Sequence, residues 1–275
     1  RWTDIGTRDN VVNDTMVDVN VGVNMDLAND MALEAYYTYS DYRSTSIGKY
    51  YLSYGGFAEN VLYEVSDLDT YIANLKTTTL NDDRQRMQKV FAGLQFDLME
   101  MAGGTAVGYV AAETFDVDYR ADVDAQSEAG LVGGSAGNSA QGSRSVKAIS
   151  AEAILPVTDF LEVGVAVRYD DYDDFGSEVS PRVGATFTMI DDLTIKASYG
   201  QGFRAPDLSD LYGATSFSAE NAVDYYGCSL DGVPEAECPN RQFDTYIGSN
   251  PNLDAETSET MSLGAEYTYD DNWVG

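Results

Sequence analysis

Residues 17–27 read VDVNVGVNMDL, with Val17, Val19, Val21, Val23, Met25 and Leu27 on one parity and Asp18, Asn20, Gly22, Asn24 and Asp26 on the other. A period of two puts the apolar side chains on one face of an extended strand and the polar ones on the opposite face. The same rhythm returns at Val90, Ala92, Leu94, Phe96 and Leu98, at 161–170, at 193–199 and at 261–269. Reading each such run gives about ten strands, near 15–27, 31–42, 85–98, 105–118, 146–155, 161–170, 179–189, 193–201, 258–268 and from 272 onward. Several are nine residues or longer, against a mean of about five to six in soluble sheets. A tilted strand needs about 9–11 residues to cross a bilayer.

The connections alternate in size. Ala28-Asn29-Asp30, 99–104, 156–160, Ile190-Asp191-Asp192 and Asp270-Asp271 are short and rich in Asn, Asp, Gly and Pro, the residues of tight turns. Between them lie long segments at 43–84, 119–145 and 202–257, and a shorter one at 171–178. Short turns at one end and long loops at the other describe an up-and-down barrel in the bacterial outer membrane, with apolar positions toward lipid and polar positions toward a wet lumen. The fold class expected is all-β, an antiparallel transmembrane β-barrel. Twenty tyrosines against ten phenylalanines fit that setting, because tyrosine joins an apolar body to a wet tip. Tyr39, Tyr169 and Tyr199 fall at the loop ends of strands; Tyr267, Tyr269 and Trp273 fall at the turn ends.

Charge and composition exclude most other classes. The chain has 275 residues, 16 Lys and Arg against 46 Asp and Glu, and a formal net charge of −30. A nucleic-acid partner is excluded, because phosphate neutralisation needs a basic face. With no histidine there is no Ser–His–Asp or Cys–His nucleophile and no His-ligated zinc. No pair of carboxylates stands apart from the acidic background, so no catalytic residue is expected and the chain is not read as an enzyme. No cofactor or metal is expected either. Asp170-Asp171-Tyr172-Asp173-Asp174-Phe175-Gly176 invites a calcium reading but lacks the order of an EF-hand loop, and turn chemistry suffices. The acidic excess lies in loops and turns, where it either keeps the surface soluble or makes the mouth unfavourable to anionic ligands.

Cys228 and Cys238 lie ten positions apart in the longest loop and are the only cysteines. A disulfide between them is expected, in an oxidising compartment. Residues 68–75 could form a short amphipathic helix, and 119–145 reads as a flexible Gly/Ser-rich loop.

Gly202-Phe203-Arg204-Ala205-Pro206, with Leu208 and Leu211-Tyr212 close behind, and Asn250-Pro251-Asn252-Leu253-Asp254-Ala255-Glu256-Thr257-Ser258 resemble two motifs of TonB-dependent outer-membrane receptors, the second with Ala255 where the family has Pro. The 170–176 hairpin and the strand and turn Ala151-Glu152 to Pro156-Val157-Thr158 are similar to two more, in the family's order, over a little under half of the chain. The resemblance implies a 22-stranded barrel around an N-terminal plug, with these residues as an internal piece of its wall. On that reading the plug, the TonB box and the closing C-terminal strands lie outside residues 1–275, and the chain is part of one barrel domain. It further implies active uptake of a scarce nutrient across the bacterial outer membrane. The partners would be TonB, reached through the plug, outer-membrane lipid, and a small-molecule or oligomeric ligand: an iron chelate, oligosaccharide, peptide or vitamin. Whether a surface lipoprotein caps the mouth stays open. A passive porin or a stand-alone small barrel is the alternative. Phe203, Arg204, Ala205, Pro206, Asn250, Pro251, Leu253 and Glu256 are the structural motif residues. Arg204 and Glu256 flank the long loop and are expected to pair on the lumen side and fix its base; the ligand-binding residues are unknown.

Overall fold

The computed structural model describes residues 3–134, 137–190 and 193–267. Nine long strands form one antiparallel sheet: β1 (Asp9–Asp26), β2 (Ala32–Ser53), β3 (Lys76–Met101), β4 (Gly104–Val123), β6 (Ala140–Thr158), β7 (Leu161–Tyr172), β8 (Gly176–Ile190), β9 (Leu193–Arg204) and β12 (Glu256–Tyr267). They pair in chain order, β1-β2-β3-β4-β6-β7-β8-β9-β12, as an up-and-down meander, while the short β5 (Val132–Gly133) adds to the outer end of β2. The barrel is not closed over these residues: β1 and β12 are the two edges.

The turns at one end are tight for identifiable reasons. Asn29 and Asp30 both take positive φ, 61° and 57°, the left-handed pair that Asn and Asp tolerate and that matches the twist of a hairpin. Gly104 has φ +133°, which L side chains rarely adopt, and the Gly103 amide donates to the Pro156 carbonyl near the end of β6 at 3.1 Å. At the other end lie α1 (Tyr54–Leu62), α2 (Leu68–Asn74), α3 (Ala125–Glu128), α4 (Leu208–Tyr212) and α5 (Tyr225–Leu230), with the hairpin of β10 (Ser216–Val223) and β11 (Asn240–Ile247). The helix expected at 68–75 is α2.

The strands run farther than expected. Residues 43–53 and 76–84, expected in a long loop, continue β2 and β3, so the link is only 54–75. Likewise 119–123 and 140–145 extend β4 and β6, 202–204 extends β9, and the 171–178 link shrinks to 173–175. Beyond the bilayer the outward face no longer has to be apolar, so the alternating signal fades while the hydrogen-bond ladder continues. There the outward side chains of β2 and β3 are ion pairs instead: Arg43 Nε to Asp82 Oδ1 at 2.8 Å, and Arg84 with Asp41. The tenth strand expected from 272, and with it Tyr269 and Trp273, lies outside the described residues.

The two faces separate cleanly. Leu33, Ala92, Leu94, Val110, Ala112, Ile149, Ala151, Val167 and Tyr169 line one apolar groove across five strands. The opposite parity carries Glu152, Glu162, Arg182, Lys196 and Ser262. On that wet face Glu113 of β4 joins Lys89 of β3 to Arg168 of β7, and Arg168 Nη2 also reaches Asp170 at 2.7 Å. Ala148 of the intervening β6 is 4% exposed beneath the bridge, and its small side chain lets the long ones meet above it.

Candidate functional site

The two motifs meet where β9 ends and β12 begins. Arg204 is the register partner of Glu256, and Phe203 that of Thr257, so the 205–255 link leaves and re-enters the sheet at one point. Arg204 Nη1 lies 3.5 Å from Glu256 Oε1, but Nη2 is closer to Asp207 Oδ2, at 2.7 Å. All three side chains are more than half exposed. Pairs so exposed contribute about 0.2–1 kcal/mol, below what a partly buried charge-assisted bond would supply. The second motif is tied in by backbone: the Asn250 amide donates to the Asp210 carbonyl of α4 at 2.8 Å, and Asn250 Oδ1 accepts from the Asn252 amide at 3.0 Å. The Leu253 amide donates back to the Asn250 carbonyl at 3.3 Å, which closes the turn containing Pro251.

The buried anchor of the loop base is a residue outside both motifs. Arg144 of β6 donates through Nε to Asp174 Oδ2 at 2.7 Å and through Nη2 to the Pro206 carbonyl at 2.8 Å. Its side chain is 10% exposed and that of Asp174 is 2%. Its guanidinium carbon lies 5.4 Å from the ring centres of both Tyr172 and Phe175. Those rings pack at 4.4 Å, and Tyr172 meets Phe203 edge-on at 5.8 Å. Arg144 therefore joins β6, the β7–β8 hairpin and the start of the long loop. α4 completes the seat. Leu211 is 2% exposed, and Tyr212 lies so close over Gly142 of β6 that a Cβ there would stand 2.5 Å from the ring.

Beyond this base the loop is an arm. β10 and β11 pair from Ser216↔Ile247 to Val223↔Asn240, and the tip between them is closed by Cys228–Cys238, Cα atoms 5.9 Å apart. In the chain-entropy picture a bridge over so short a loop stabilises by about 3 kcal/mol. α5 starts on Asp224, whose Oδ1 accepts from the Gly227 amide at 2.8 Å.

The first two long links are tied to each other by the Tyr54 amide, which donates to the Leu131 carbonyl at 2.7 Å. Ser53 caps α1 and Asp67 caps α2, while Asn60, 2% exposed, donates to the Tyr71 carbonyl at 2.9 Å and accepts from Asn74 at 2.8 Å. The Thr70 hydroxyl and amide both donate to Asp67 and hold its carboxyl below the usual range. Asp124 caps α3 and also accepts from the Leu80 amide at 3.1 Å. The 119–145 region is thus pinned at its start rather than free throughout.

Asp170, Asp173 and Asp174 of the 170–176 hairpin have protein partners. Asp170 accepts from Arg168, Asp173 Oδ1 accepts from the Ser145 amide at 2.9 Å, and Asp174 holds Arg144. Among the described residues no cluster of three or more ligating side chains is placed to hold a metal ion. Sequence reasoning missed Arg144 and Gly142. The only signal was an aspartate-rich hairpin carrying more carboxylates than its turn requires.

Known proteins resemble the chain in sequence and in fold. Over 147 residues the chain is 33% identical to the ferric enterobactin receptor PirA of Pseudomonas aeruginosa, a stretch that is 50% of this chain and 18% of that protein. A second ferric enterobactin receptor of the same organism is 27% identical over 145 residues, again 18% of its length. The chain therefore spans well under two thirds of these relatives. Among solved structures, the siderophore receptor PirA from Acinetobacter baumannii superposes with a TM-score of 0.51 at 18% identity, over 87% of this chain and 33% of that one. The RagAB peptide transporter superposes with 0.57 at 14%, over 94% and 28%. At such identities the likeness is one of fold. A family model described as "TonB dependent receptor-like, beta-barrel" matches residues 1–275 from end to end, and the chain belongs to that family of bacterial outer-membrane β-barrels.

Proposed function

We propose that this chain forms part of the wall and outer mouth of a TonB-dependent importer that carries an iron–siderophore chelate across the bacterial outer membrane. The observation that carries the reading is the seat of the 205–255 arm. Both motifs, α4 and the β7–β8 hairpin converge on it, and it carries the arm whose tip the Cys228–Cys238 disulfide closes. A rigid base under a long arm is what a receptor needs to present binding groups at a pore mouth, because ordering the base in advance lowers the entropy cost of binding. The relatives named as ferric enterobactin receptors support iron–siderophore as the cargo class. In this reading a plug domain fills the lumen against the polar face that carries Glu113, Arg168 and Asp170, and TonB acts through that plug. The chain's part is recognition and passage, with no bond made or broken.

The test is growth of the source bacterium under iron limitation, with the gene for the full receptor deleted and restored. Growth on a supplied ferric siderophore should fail in the deletion strain, return with the gene, and fail again when TonB is removed. Growth that persists without TonB would instead show a passive pore.

A further inference from the structure

We infer that the iron chelate taken by this receptor is cationic, bearing a protonated amine, and is not a triply anionic tris-catecholate; this rests on the siderophore reading above. The three long links, residues 54–75, 124–139 and 205–255, together carry fifteen Asp and Glu and a single basic residue, Arg241. Charges of one sign clustered at a mouth raise the local concentration of oppositely charged ligands and repel like ones. The disposition of the basic side chains on the wet face is an independent observation. Lys89 holds Glu113, Arg144 holds Asp174, Arg168 holds Glu113 and Asp170, Lys196 holds Glu266 at 2.9 Å, and Arg204 holds Asp207. Arg182 shares its groove with Glu152 and Glu162. An anionic chelate would have to displace a carboxylate to reach any of the five ion-paired donors, Lys89, Arg144, Arg168, Lys196 and Arg204, and the freed carboxylate would then oppose it.

The tip of the arm supplies what a cation needs instead. Tyr225 and Tyr226 are 55% and 76% exposed, and they stand in a segment bounded by Asp224, Asp231, Glu235 and Glu237. Open aromatic faces within an acidic field attract an ammonium group through the ring quadrupole as well as through charge.

The experiment uses the full receptor purified in detergent and two probes, ferric desferrioxamine B, a trihydroxamate chelate with a free ammonium, and ferric enterobactin. Binding is followed by calorimetry from low salt to above about 0.15 M, where the screening length falls to about 8 Å. The cationic chelate should bind at least tenfold more tightly at low salt, and its advantage should shrink as salt rises. In the Glu235→Gln/Glu237→Gln variant its affinity should fall severalfold while the arm's disulfide and the receptor's thermal transition stay unchanged. Equal or tighter binding of ferric enterobactin would overturn the inference and leave siderophore uptake standing. Binding of neither chelate would overturn both.

Discussion

Arg144 and Asp174 form a buried ion pair between β6 and the β7–β8 hairpin, and the same guanidinium holds the Pro206 carbonyl at the root of the longest loop. One side chain thus couples three segments that are far apart in sequence, and the seat of the arm depends on it. Removing Arg144 leaves the Asp174 carboxylate buried without its charge partner, a situation that costs about 3–5 kcal/mol. Arg144→Ala should make the 205–255 arm sensitive to protease at its base and lower the receptor's unfolding temperature. Arg144→Met combined with Asp174→Asn should recover part of the loss, because the uncompensated charge is gone; limited proteolysis and thermal unfolding of the three proteins check this.

Arg204 behaves differently, because its partners Asp207 and Glu256 are exposed. Arg204→Ala should change stability by no more than about 1 kcal/mol and leave proteolysis of the loop base nearly unaltered. Equal losses for Arg204→Ala and Arg144→Ala would contradict the assignment of the anchor to β6.

Gly142 lies under the Tyr212 ring with no room for a Cβ. Gly142→Ala should push α4 off β6 and loosen the loop base, with a cost of about 1–3 kcal/mol typical of overpacking. Hydrogen exchange over residues 208–212 reads the displacement directly.

The disulfide closes the tip of the arm and nothing else. Cys228→Ser/Cys238→Ser should speed exchange across 224–239 and leave the barrel's unfolding temperature where it was. A fall in barrel stability would mean that the tip packs on the wall.

The cap of α2 has a pH dependence whose sign is fixed. Thr70 holds the Asp67 carboxyl below its ordinary value of 3.8, so its contribution is complete above that value and is lost as pH falls through the lower folded-state value. Amide protection in Thr70 to Asn74 should be flat above about pH 5 and drop only in strong acid, and Asp67→Asn should flatten the profile.

The wall was legible because lipid imposes a rule on every second residue. Val17 to Met25, Val90 to Phe96 and Met261 to Tyr267 follow it, and the structure places them in β1, β3 and β12. The rule stops at the edge of the bilayer, and so did the reading: Arg43, Asp82 and Arg84 lie in regular strands, yet their sequence carries no apolar period. The arm was half legible. Cys228 and Cys238 announced a closed tip, whereas β10 and β11, with weak alternation, did not announce a hairpin. At the site the motifs marked Phe203 to Pro206 and Asn250 to Glu256, which do meet. Arg144 stayed hidden because its contacts join residues 30 and 62 positions away, which no local pattern encodes.

The most direct measurement is accumulation of radiolabelled iron by cells supplied with a ferric siderophore, with and without this receptor, before and after the proton-motive force is collapsed. The account predicts uptake that requires the receptor and stops when the force is removed. Receptor-dependent uptake that continues at the same rate in de-energised cells would contradict it.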